Sequence, residues 1–124
     1  MKPPMPSEHA EQVALFQWTA TQYRKYPELK LLYAIPNGGH RHIATAKRMK
    51  AEGVRAGVPD LHLPVARNGH IGLWIEMKRK GSKPRESQLE WLTELAKYGH
   101  KCVVAYSWLD AVDAIKGYLK LGGA

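Results

Sequence analysis

Three side chains in this chain have types and spacings that suit catalysis: Asp60, which follows Pro59, and Glu76, two residues before Lys78. Each carboxylate sits in or beside an apolar segment, Val58-Pro59-Asp60-Leu61 and Leu73-Trp74-Ile75-Glu76-Met77-Lys78. In an extended strand Glu76 and Lys78 share one face, while Leu73, Ile75 and Met77 point to the other. Two carboxylates brought together make an oxygen-rich site of the kind that suits Mg²⁺ or Mn²⁺. A nearby ammonium adds a mobile donor for a phosphate oxygen or a water. The plain alternative is that Asp60 caps a turn and that Glu76 and Lys78 form a surface ion pair.

Whether the two carboxylates meet depends on the elements that carry them. Leu61 to Val65 and Ile71 to Met77 alternate apolar with other residues, the period of a half-buried strand, and Arg67-Asn68-Gly69 between them signals a hairpin. A three-residue loop pairs Ala66 with His70, and then Val65 with Ile71, Leu63 with Leu73 and Leu61 with Ile75, all apolar with apolar. The same register sets Asp60 opposite Glu76 on the other face, with roughly 5 Å between Cβ atoms. A two-residue Asn68-Gly69 turn pairs Leu63 with Trp74 instead, because a one-residue slip exchanges the faces. Like charges directly opposite are destabilising unless something positive lies between them.

The remaining elements follow from caps and periodicity. Ser7 is a candidate N-cap for a helix from about Ser7 to Lys25, closed by Pro27. Leu29 to Ile35 reads as a short buried strand. A short helix within His40 to Glu52 ends at Gly53, and a helix within Pro84 to Tyr98 is stopped by Gly99. Cys102 to Tyr106 reads as a strand, and Ser107 caps a last amphipathic helix. The order α, β, α, β, β, α, β, α predicts an α/β fold, a mixed β-sheet of about four strands flanked by helices. Trp18, Trp91 and Trp108 fall on apolar helix faces, whereas Trp74 lies on the Glu76 face, where it covers the site or a partner surface. His62 shares the Asp60 face, as a supporting group or an exposed strand histidine, and no histidine or cysteine spacing suits zinc.

The chain has 124 residues, one cysteine, 19 Lys+Arg and 11 Asp+Glu, a formal net charge of +8. That size predicts a single domain over residues 1–124, with a core at about 7–106 and a C-terminal helix at 107–121. No apolar run approaches the ~18 to 20 residues of a membrane span, and the N-terminus lacks the pattern of a secretory signal. A cytoplasmic protein with no membrane partner is expected. The positive excess favours a polyanion, with nucleic acid first. Arg41, Lys47, Arg48, Lys50 and Arg55 precede the Pro-Asp pair with only Glu52 against them. Arg79, Lys80, Lys83 and Arg85 follow Lys78 with no acid before Glu86. Both runs are candidate DNA-phosphate contacts. The Asn37-Gly38-Gly39-His40 loop reads equally as a phosphate cradle or as a plain turn.

Pro59-Asp60 followed by Glu76-Met77-Lys78 resembles the PD-(D/E)xK signature of restriction-endonuclease-like nucleases. The resemblance is closer to the virus-type replication-repair nuclease (VRR-NUC) domain. It is carried by Ser7-Glu8-His9-Ala10-Glu11-Gln12, Ile35-Pro36-Asn37-Gly38-Gly39, Gly53 to Leu61, Trp74 to Lys78 and Gln88-Leu89-Glu90-Trp91-Leu92, in the family order. It implies a restriction-endonuclease-like core and a Mg²⁺- or Mn²⁺-dependent endodeoxyribonuclease with no nucleotide cofactor. Asp60 and Glu76 then hold the metal, with the backbone carbonyl of Met77 as a third ligand. Lys78 orients or helps deprotonate the attacking water, and Gln88 supports the site. A first-helix glutamate completes it: Glu8 matches best, and Glu11, one turn away, is the rival. The family often has Ser or Thr three residues before the glutamine, where this chain has Arg85. The resemblance further implies action on branched DNA such as Holliday junctions, a homodimer, and a phage or bacterial origin in the host cytosol. The alternatives are a flap or nicking nuclease and a non-catalytic DNA-binding module on the same fold.

Overall fold

A computed structural model describes residues 7–36 and 43–120. The Asn37–His40 loop, Arg41, His42 and the end of the chain beyond residue 120 lie outside the described residues.

The elements run α1 (Glu8–Ala20), a 3-10 turn (Pro27–Leu31), β1 (Tyr33–Ala34), α2 (Ile43–Ala51), β2 (Leu61–Leu63), β3 (Leu73–Met77), α3 (Glu86–Lys97), β4 (Lys101–Ala105) and α4 (Trp108–Lys120). Among the described residues no helix is long and apolar enough to cross a membrane. The four strands form one mixed sheet in the order β1-β2-β3-β4, antiparallel except for the β3–β4 pair. This is the mixed, helix-flanked α/β sheet that the sequence predicts.

One face of the sheet is the core. Leu61, Leu63 and Ile75 are fully buried there against Leu15 of α1 and Ala111 and Ile115 of α4. Burial of apolar side chains on this scale is the main stabilising contribution, about 1.5–3 kcal/mol for each Leu or Ile. α3 packs against β4, and its Gln88 reaches Glu76 on the face away from that core. Two caps anchor the helices of the core face. Ser7 Oγ accepts the Ala10 N–H at 3.0 Å, and Ser107 Oγ accepts the Asp110 N–H at 3.1 Å.

Three local expectations differ. The first helix ends at Ala20, five residues before Lys25, with Thr21 as its C-cap. Leu29 to Ile35 is mostly not strand: Pro27 starts a 3-10 turn, Leu29 and Leu32 are buried at its spacing of three, and only Tyr33 and Ala34 pair in the sheet. The hairpin is a compromise. Asn68 (φ 44°) and Gly69 (φ 83°) make a two-residue turn, closed by an Arg67–His70 bridge rather than an Ala66–His70 pair. The ladder nevertheless pairs Leu61 with Ile75 and Leu63 with Leu73. The one-residue offset is taken up beside Pro64, where the Val65 N–H donates to the Leu63 carbonyl at 2.9 Å. Ile71 is therefore outside the β2–β3 ladder and 57% exposed.

Candidate active site

Asp60 is placed from both sides. Its backbone carbonyl accepts the Ile35 N–H at 2.8 Å, and its Oδ2 accepts the Met77 N–H at 2.7 Å. The loop leading to it needs Gly57, at φ 89°, because a Cβ there would lie 2.6 Å from the Ser87 carbonyl oxygen at the start of α3. Gly57 thus lets the Asp60 loop rest directly on α3. Spacing alone did not single it out, although a glycine shortly before Pro-Asp was the available signal.

Glu76 lies opposite Asp60 in the register set by Leu61 and Ile75. It is 1% exposed. Oε1 accepts the Gln88 side-chain N–H at 3.3 Å, while Oε2 is buried with no hydrogen-bond partner. Gln88 is itself fixed, because its Oε1 accepts the Arg85 N–H at 2.7 Å. This bond satisfies one of the unpaired donors at the N-terminus of α3, so Arg85 serves there without a capping hydroxyl. Burial pushes the Glu76 carboxyl up to about 8, and the neighbouring Asp60 charge adds to the effect. Burial also raises Asp60, against its hydrogen bond from Met77. Lys78 is 9% exposed, and its charge favours the ionised form of both carboxyls. Its backbone N–H donates to the Ala105 carbonyl at 2.8 Å, which continues the β3–β4 pairing past Met77.

The two first-helix glutamates separate. Glu8 is close enough for its charge to raise both Asp60 and Glu76. Glu11 is engaged elsewhere: its Oε2 accepts the Trp108 N–H at 2.6 Å at the start of α4. No group of three or more His, Cys, Asp or Glu among the described residues is arranged to hold a metal ion. Glu8 therefore does not join Asp60 and Glu76 in such a group.

The basic residues lie at the surface. Lys47, Arg48 and Lys50 on α2 are exposed, as are Arg55, Arg79, Lys80, Lys83 and Arg85. Arg48 pairs with Glu52 at 3.5 Å. Arg41 lies outside the described residues.

The site face also holds a ring cluster that the sequence did not assemble. His62 stacks on Trp74, with centroids 3.9 Å apart and planes 9° apart. Tyr33 Oη lies 2.7 Å from His62 Nδ1, and Trp74 Nε1–H donates to His100 Nδ1 at 3.0 Å. His62 is therefore neither a carboxylate partner nor a free strand histidine. Burial, then the charge of His100, holds its imidazole below the usual value.

Two comparisons find relatives of this chain. The family model for the VRR-NUC domain matches residues 7–108. A solved structure described as a VRR_NUC domain protein is similar to the chain, with a TM-score of 0.82, at 30% sequence identity. The match covers 99% of this chain and 94% of that one. No curated protein matches.

Proposed function

Because the chain belongs to the VRR-NUC family, a nuclease family, we propose that it is a metal-dependent, structure-specific DNA endonuclease whose site is built on Asp60, Glu76 and Lys78. One observation carries the reading: the buried Oε2 of Glu76 is met by no N–H donor, and the carboxyl of Asp60 faces it closely enough to share a proton. Two ionised carboxylates in that relation need a positive species between them, and a hard divalent ion with oxygen ligands fits. Asp60, Glu76 and the Met77 carbonyl would hold Mg²⁺ or Mn²⁺, with Glu8 adding its nearby charge. When bound, such an ion polarises the phosphate and lowers the pKa of a water.

The chain's own groups do the rest. The Met77 N–H fixes one oxygen of Asp60, and Gln88 fixes one oxygen of Glu76, so both remaining oxygens are held in place. Lys78, two residues along the same face, positions the attacking water or neutralises a phosphate oxygen. Arg41, Lys47, Arg48, Lys50, Arg55, Arg79, Lys80, Lys83 and Arg85 supply phosphate contacts, which give affinity and position rather than sequence readout. The substrate is branched DNA, with the Holliday junction as the leading form. Symmetric cutting of a junction takes two sites, and one chain carries one, so the active form is a homodimer.

The test is a panel of four-way junction, flap and duplex DNA incubated with Mg²⁺, Mn²⁺ or EDTA. Metal-dependent cutting with the junction preferred is expected. Preference for flaps or nicking of duplex would replace the substrate assignment. Binding without metal-dependent cutting of any substrate would make the chain a DNA-binding module and overturn the reading.

A further inference from the structure

The ring cluster lies outside the carboxylate site but on the same side of the sheet. Tyr33 pairs with His62, and His62 with Trp74, so the three side chains share one face. Asp60 and Glu76 are each two residues away along β2 and β3, on that face, a displacement of about 6.6 Å. The rings do not serve the core, which lies beneath the sheet. Tyr33, on the edge strand, is 46% exposed, and His62, Trp74 and His100 are each half-buried.

The cluster is nonetheless built to one geometry. Hydrogen bonds tie Tyr33 to His62 and Trp74 to His100, and the His62–Trp74 stack joins the two pairs. Gly72 makes room for it: a Cβ there would lie 3.2 Å from His62 Nε2 and 3.3 Å from His100 Nδ1. Tyr33 meets the His62–Trp74 stack edge-on, at 71° to His62, and His100 meets Trp74 at 78°, so the cluster is an angled one in which the exposed Tyr33 ring is held in a single orientation. On a basic chain, beside a proposed phosphate-cleaving site, the matching ligand face is a nucleobase.

We propose that Tyr33, held in place by His62, Trp74 and His100, is a stacking platform for an unpaired nucleobase adjoining the scissile phosphate. The proposal rests on the nuclease reading and adds the feature selected in the substrate. A base inside a duplex is already stacked on both sides and gains nothing from the platform, whereas a base freed at a branch point gains a ring partner. Specificity for branched DNA then arises beside the carboxylates, without base-edge readout.

The experiment uses the full chain in EDTA, so that DNA stays intact. The probes are a flap DNA carrying 2-aminopurine at an unpaired position beside the branch, and a duplex carrying it fully paired. The wild type is expected to quench the unpaired probe, and Tyr33→Ala to lose that quenching with about a tenfold weaker flap affinity. Tyr33→Phe, which keeps the ring but loses the bond to His62, is expected to keep the quenching and to lose less flap affinity than Tyr33→Ala. Duplex affinity stays unchanged in both variants, and matching thermal midpoints show that Tyr33→Ala is folded. Equal weakening on flap and duplex would overturn the proposal, as would a fall in solution mass for Tyr33→Ala, which would make the face a self-association surface. If the wild type cuts DNA and Tyr33→Ala behaves identically, the platform fails and the nuclease reading stands. If the wild type neither binds nor cuts, the nuclease reading itself fails.

Discussion

Glu76→Gln is expected to make the metal-free protein more stable while abolishing cleavage. The amide keeps the shape of the carboxylate. Its oxygen can accept from Gln88, and its NH₂ can donate to Asp60, which gives the unpartnered position a bond. In the wild type the folded state holds the Glu76 carboxyl protonated up to about 8 instead of 4.5. A carboxyl raised in this direction favours folding fully below pH 4.5, and that contribution is lost as pH rises through 8. At pH 7 the loss amounts to at most about 3 kcal/mol, since Asp60 shares in the same proton. For a domain of this size that corresponds to about 10 °C in Tm. The assay is thermal unfolding by circular dichroism in EDTA at pH 5, 7 and 8, with DNA cutting measured in parallel. The gap between Glu76→Gln and wild type should be small at pH 5 and widen to pH 8. Saturating Mn²⁺ should raise the wild type and leave the variant where it was. A gap that stays constant with pH, or a variant less stable than wild type at pH 8, would refute the reasoning.

Four further substitutions, in two pairs, separate position from chemistry. Gly57→Ala places a Cβ against the Ser87 carbonyl at a positive φ, so a loss of about 1–3 kcal/mol in denaturant unfolding is expected, with reduced cutting. Gly53→Ala, at φ 99° with nothing within 4 Å, should cost about 1 kcal/mol or less and leave cutting intact. Glu8→Gln should slow cutting at unchanged Tm. Glu11→Gln, which weakens the bond to the Trp108 N–H, should cost about 1 kcal/mol at unchanged cutting rate.

The facing of Asp60 and Glu76 was legible because apolar matching is a strong constraint: only one register buries Leu61, Leu63, Leu73 and Ile75 together. The turn used to reach that register was wrong, and the register still came out right, because the one-residue offset beside Pro64 lets core burial set the ladder while the turn keeps its two-residue form. Glu8 and Glu11 could not be separated, since the answer depends on Trp108, which is 97 residues from Glu11. The ring cluster was illegible for the same reason: Tyr33, His62, Trp74 and His100 come from three strands and a loop. The 3-10 turn did leave a sign, the three-residue spacing of Leu29 and Leu32.

The mismatch between turn and ladder in the β2–β3 hairpin has a use. Because the slack beside Pro64 lets the Asn68-Gly69 turn follow its own preference while the leucines hold the strands, the length of the tip is uncoupled from the spacing of the two acids. The tip is therefore a place where the protein tolerates growth. A fluorophore, an affinity tag or a second recognition module grafted between Asn68 and Gly69 should ride on the protein without moving its two facing carboxylates.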